Sequence, residues 1–168
     1  MPALNYTAQL SVRANPMSRE EYKCAHRLRV RWAEVDMQGI VFNGHYLTYI
    51  DTAVAEYWRE IGLPYPHGYV ERYGNDMYLR KAEVDYLGSA RYDDALDVLC
   101  RAAKLGRTSM TFAFEIHRAG TGPSEKPLIT AALVYVNADP KTMAPAPLPA
   151  ALRELIGRYE RTAPEGLQ

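Results

Sequence analysis

Two cysteines, three phenylalanines and two tryptophans are all that 168 residues hold of those types, and each shortage excludes something. Cys24 and Cys100 are too few for a disulfide scaffold and stand at no metal-ligand spacing, so a reducing compartment is expected. Charge of either sign is not in surplus: 20 basic residues balance 20 acidic ones. With no long basic block, nucleic acid and anionic membrane surfaces find no support as partners. No apolar run reaches the length of a membrane helix, and Met1 to Tyr22 lacks the continuous apolar region of a signal peptide. These absences predict a soluble, cytoplasmic protein.

What the chain does have is enough apolar residue, 48%, for one well-buried core over its full length, residues 1–168. It also has thirteen tyrosines, whose apolar rings and polar tips suit half-buried surfaces or a pocket wall. From His26 to Glu34, Leu28, Val30 and Trp32 alternate with Arg27, Arg29 and Arg31, the period of a strand with one wet face. After Gly39 the period changes. Tyr46, Ile50, Ala53, Val54, Tyr57 and Ile61 recur at helical spacing, with Asn43 placed to cap the start and Gly62 and Pro64 to stop it, so a helix is expected over about residues 44–61.

Residues 63–75, rich in Pro, Gly and Tyr, read as a loop with a short strand around Tyr69 to Glu71. Three alternating segments follow, around 78–86, 96–102 and 110–116, and then an almost wholly apolar run, Leu128 to Ala138, of the kind that suits a central strand buried on both faces. Pro140, Pro145, Pro147 and Pro149 make a connector, and Leu152, Leu155, Ile156 and Tyr159 give a short helix one apolar face. The core is expected over about 23–139, with connector and terminal helix over about 140–162. A strand, a long helix, four strands without crossover helices and a terminal helix make an α+β protein with an antiparallel five-stranded sheet packed on one helix.

The chemistry concentrates where the first strand stops. In Asp36-Met37-Gln38-Gly39-Ile40-Val41-Phe42-Asn43-Gly44-His45-Tyr46 a carboxylate precedes a glycine turn and a helix start. A helix start offers unpaired N–H groups and partial positive charge, which can hold an oxyanion while a carboxylate attacks or activates water.

This string, with the strand before it, the helix after it and the Gly62-Leu63-Pro64 exit, resembles the hot-dog-fold acyl-CoA thioesterases of the 4-hydroxybenzoyl-CoA thioesterase type. The resemblance implies a hot-dog fold, an acyl-CoA substrate, and hydrolysis to free acid and coenzyme A with no cofactor and no metal. It also implies a homodimer or homotetramer with the active site at the dimer interface. Asp36 becomes the catalytic carboxylate, Gly39 the tight turn and the Asn43 backbone N–H the oxyanion donor, with Gly39, Val41, Phe42 and Tyr46 expected against the substrate. The chain departs from the family at Asn43-Gly44-His45, where tyrosine or histidine, a variable residue and asparagine are usual, so its local rim differs. An acyl-carrier-protein thioesterase, or a non-catalytic acyl-thioester binder in which Asp36 is only a turn cap, is the alternative reading.

Other residues carry weaker signals. His45 is a further catalytic candidate, as a second polar group near the site or a general acid for the leaving thiolate, or else an ordinary helix-start residue. Glu34, two before Asp36, would share its side of an extended strand and form a carboxylate pair, though without neighbouring metal ligands. Asp51 and Glu56 lie on the helix, where some hot-dog enzymes carry their carboxylate; a solvated helix face explains them as well. Arg80, Lys81, Arg91, Arg101, Lys104 and Arg107 are the cations from which phosphate contacts would be drawn, and spacing selects none of them.

Overall fold

A computed structural model describes residues 19–122 and 124–167; the leaderless reading of Met1 to Tyr22 falls, up to Ser18, outside them. The strands are β1 (Cys24–Arg29), β2 (Asp76–Tyr86), β3 (Ala95–Leu105), β4 (Ser109–Arg118) and β5 (Ile129–Ala138); the helices are α1 (Asn43–Glu60), α2 (Val70–Tyr73) and α3 (Ala150–Tyr159). The strands form one sheet in the order β1-β3-β4-β5-β2, every neighbouring pair antiparallel. Helix α1 buries Tyr46, Tyr49, Ile50, Ala53, Val54, Tyr57 and Trp58, the three- and four-residue spacing of one helical face. That face meets Val98, Cys100, Phe112, Phe114 and Ile116 of the sheet in one core. Cys24 and Cys100 lie opposite each other across β1 and β3, both free and both fully buried.

Four expectations need correction. The first strand stops at Arg29 rather than Glu34, and Trp32–Glu34 form a 3-10 turn. Val30 is the last residue to follow the strand period; it is buried, whereas Trp32 is 76% exposed. The turn forms because the Glu34 carboxylate reaches back to accept from the Arg31 N–H at 2.7 Å and from Arg31 Nε at 2.8 Å. Glu34 and Asp36 are therefore not neighbours on an extended strand, and the carboxylate pair is not formed that way.

Asn43 does not cap α1. Phe42 is the N-cap residue, without a side-chain bond, and Asn43 is the first helical residue. The chain there is fixed by backbone instead, Phe42 N–H donating to Glu34 O at 2.9 Å. In place of a strand near Tyr69 the chain makes the short helix α2, ended by Gly74 at φ +68; the Tyr69 and Tyr73 rings, one turn apart, meet tilted at 56° with centroids 5.2 Å apart. The Tyr69 hydroxyl donates to Asn137 Oδ1 at 2.9 Å.

The apolar strand β5 is interior, between β4 and β2, but it is not buried on both faces: burial alternates from Ile129 to Leu133, and Val134, Tyr135 and Val136 are all half-buried. Continuous burial belongs to Leu96–Ala102 of β3 and Phe112–His117 of β4, whose charged residues disguise it. Asp97 accepts from Arg27 at 2.8 Å and Arg19 at 3.3 Å, and Glu115 pairs with His117 at 2.8 Å. Partners of this kind are what allow charge to be buried.

Candidate active site

Between β1 and α1 the chain folds into a tight hairpin. Val35 bridges Val41, Asp36 N–H donates to Ile40 O at 2.9 Å and Gly39 N–H to Asp36 O at 3.0 Å. Gly39 sits at φ +73, a left-handed conformation that a Cβ disfavours. The hairpin is anchored twice: Val41 N–H donates to Ala90 O at 2.9 Å, and the buried Glu34 carboxylate accepts from the Tyr49 hydroxyl of α1 at 2.7 Å. Burial alone would raise the Glu34 carboxyl; the Arg31 N–H and guanidinium and the Tyr49 hydroxyl outweigh it and hold the group below the usual carboxylate range.

Asp36 itself is half-buried. Its Oδ1 accepts from Gln38 N–H at 2.8 Å, the Asx-turn contact of a turn aspartate. The same side chain belongs to the wall of a cavity of about 580 Å³, which also includes Val41, Phe42, Asn43 and Tyr46. At the start of α1, His45 N–H turns back to Phe42 O at 2.9 Å, while the Asn43 and Gly44 N–H groups have no partner among the described residues. Free N–H groups in a first helical turn are ready donors to an anion. The hairpin thus carries Asp36 at one end and Asn43, the first residue of α1, at the other, both on one cavity.

The far wall is Tyr86, Leu87, Gly88 and Ser89, where β2 ends. Leu87 and Gly88 N–H both donate to Leu128 O at 2.9 Å, and a Cβ on Gly88 would stand 2.9 Å from Leu128 Cδ2, so the segment lies close against the β5 approach. Arg118 donates to Ser89 O at 2.6 Å and to Asp94 at 3.2 Å. Tyr46 closes the inner side. It is 2% exposed, its hydroxyl accepts from Ala90 N–H at 2.9 Å, and burial raises its pKa.

Of the sequence-predicted residues, Asp36, Val41, Phe42, Asn43 and Tyr46 meet on this cavity. Gly39 shapes the hairpin without lining the wall, and His45 is half-buried beside the wall, its ring edge-on to Phe42 at 6.0 Å. Asp51 is exposed and Glu56 is paired with Arg59 at 2.6 Å; neither lines the cavity. None of the six cations named from sequence lines it either: Lys81 pairs with Glu83 and Lys104 with Glu165, each at 2.6 Å, and Arg101 is buried, donating to Thr162 O at 3.3 Å. Among the described residues no group of three or more His, Cys, Asp or Glu is arranged to hold a metal ion, and no helix is long and apolar enough to cross a membrane. Sequence reasoning missed the Tyr86–Ser89 wall. Its one signal was the break of alternation at Gly88-Ser89.

Comparisons with known proteins agree with this architecture. Acyl-CoA thioester hydrolase YbgC of Escherichia coli is 28% identical over 123 residues, covering 73% of this chain and 87% of that protein. A thioesterase of Thermus thermophilus, solved in complex with coenzyme A and Zn, superposes with a TM-score of 0.70 at 28% identity, covering 85% of this chain and 98% of that one. Slr0204, a 1,4-dihydroxy-2-naphthoyl-CoA thioesterase of Synechocystis, shares the fold with a TM-score of 0.68 at 21% identity, over 79% of this chain and 93% of that one. The sequence profile of the thioesterase superfamily matches residues 38–124, more than half of the chain and including α1 and most of the sheet. The chain belongs to the thioesterase superfamily and has its hot-dog fold.

Proposed function

We propose that this thioesterase hydrolyses an acyl-CoA thioester to the free acid and coenzyme A, with Asp36 as the reacting carboxylate and helix-start N–H groups, Asn43 foremost, as the oxyanion hole. One observation carries the reading: Asp36 and Asn43, seven residues apart, border a single cavity, with the Asn43 N–H unclaimed among the described residues. A thioester carbonyl seated between them would place its carbon toward the carboxylate and its oxygen toward the amides.

Two routes balance. In one, an Asp36 oxygen attacks the carbonyl carbon, the oxyanion collapses with loss of the thiolate, and water hydrolyses the mixed anhydride. In the other, Asp36 takes a proton from water as that water attacks, and the thiolate again departs. One well-aimed backbone donor lowers the barrier by on the order of 3 kcal/mol. Oxygen-18 from solvent, followed in a single turnover, separates the routes: label in the Asp36 carboxylate marks direct attack.

The test of the function itself is thiol release from a panel of acyl-CoAs by Asp36→Asn and Asp36→Ala. We expect kcat to fall by roughly 10²- to 10⁴-fold while coenzyme A still binds. Wild-type turnover in both variants would overturn the assignment and leave an acyl-thioester binder or a different site.

A homo-oligomer completes the reading. Met37, Phe42, Leu87 and Tyr86 leave an exposed apolar rim around the cavity, a feature that attracts a partner. The β2 edge of the sheet is eleven residues long and carries the exposed Leu79. By contrast, the β1 edge is only six residues long, a shorter template for pairing than β2. A second copy at β2 would shelter this face. The two free cysteines suit a reducing compartment such as the cytoplasm.

A further inference from the structure

We infer that Arg118 is a positioning residue that fixes the far wall of the cavity at Ser89 and so limits the size of the acyl group admitted; the inference rests on the hydrolase reading above. The wall is tied along its length. Leu87 and Gly88 N–H donate to Leu128 O on one side of Ser89. On the other, Ala90 N–H donates to the Tyr46 hydroxyl and Ala90 O accepts from Val41 N–H, which joins this wall to α1 and to the hairpin of Asp36. Between these ties Ser89, which lines the cavity, makes no backbone–backbone bond among the described residues. Its carbonyl is held instead by Arg118 Nη2 at 2.6 Å, a charge-assisted bond of the stronger kind.

Arg118 is itself braced by the sheet. It ends β4, paired with Leu96 of β3, and its Nε donates to Asp94 Oδ2 at 3.2 Å. The same oxygen accepts from Arg91 N–H at 2.9 Å, so Asp94 is fixed from a second side. A planar guanidinium can serve Ser89 O and Asp94 together at set angles, which an ammonium cannot. The occupant of the cavity follows from its lining. Ile40, Val41, Phe42, Leu87 and the rings of Tyr46 and Tyr86 make most of it, and no lysine or arginine is among the lining residues. Coenzyme A phosphates find no counter-charge there, whereas an apolar acyl group finds a matching surface. A wall held from behind by a charge pair cannot retreat from an acyl group that is too large.

The experiment uses the full chain and measures kcat/KM on a panel of acyl-CoAs of rising size. The two substrates compared are the largest acyl group that wild type turns over readily and the next one up, one or two methylenes larger. A fixed wall should reject the larger by at least about tenfold. Arg118→Met keeps the bulk and loses both donors, so the ratio should shrink to about threefold or less, and Arg118→Lys, which keeps the charge and a donor, should recover part of it. Asp94→Asn retains an acceptor for Arg91 N–H but loses the charge that orients the guanidinium; it should shift the ratio in the same direction by a smaller factor, and it carries the test should Arg118→Met not fold. A role in stability alone would lower both substrates together and leave the ratio as it was. A wild type without a size limit, a ratio unchanged in Arg118→Met or, where that variant does not fold, in Asp94→Asn, or an Arg118→Lys protein as permissive as Arg118→Met overturns the assignment. Asp36→Asn runs beside them: if it is inactive while the ratio stays put, only the Arg118 role has failed; if it turns over normally, the hydrolase reading has failed and this inference with it.

Discussion

Gly39 shows how much one residue governs here. Its φ of +73 turns the hairpin that holds Asp36, yet a Cβ built on it meets nothing within 4 Å. The cost of Gly39→Ala is therefore backbone strain alone, about 1–2 kcal/mol. We expect that loss in chemical denaturation, together with a fall in kcat larger than any change in KM, because the Asp36–Gln38 contact shares the turn; unaltered stability and kinetics would show that the turn relaxes freely. Asp36 and Asn43 could be grouped from the sequence because they lie seven residues apart on either side of the Gly39 turn. Tyr86 and Ser89 could not, because they reach the cavity only when β2 closes the sheet more than forty residues later. No local pattern records that meeting.

At the scale of elements, the start of α1 is set by Glu34 as much as by helical period. Its carboxylate ties the Arg31 turn to Tyr49 on the second turn of the helix, and it is 3% exposed. Because its folded pKa lies below the ordinary 4.5, the stability it contributes is present above that value and is lost as pH falls through the lowered one. Glu34→Gln should cost about 1–3 kcal/mol near neutrality, with the deficit shrinking in acid. Urea titrations at neutral and low pH read both, and a deficit independent of pH would contradict the ion-pair account. Helix α1 was legible because seven buried side chains repeat its period. The end of β1 was not: Trp32 continues the alternation in sequence, but the return of Glu34 to Arg31 turns it outward. The burial of β3 and β4 was hidden in the same way, because charged residues read as wet until their partners are in place.

For the molecule as a whole, an apolar cavity rim and an open β2 edge on one chain predict an assembly. Light scattering should give at least twice the 19.0 kDa chain mass, and a charge placed on that edge by Leu79→Glu should move the population toward a single chain and lower activity with it. A 19.0 kDa species with full turnover would remove the second copy from the reaction. The sheet and its helix followed from the sequence, since period and turn residues act locally; which edge stays open depends on strand order, which periodicity does not encode.

The sealed position of Cys24 and Cys100 has a practical consequence for all of these measurements. A folded chain keeps both sulfurs away from a disulfide dye, so colour formed during turnover should come from the departing coenzyme and not from the protein. The same dye in denaturant should register two further equivalents per chain, and a slow rise without substrate would report global opening.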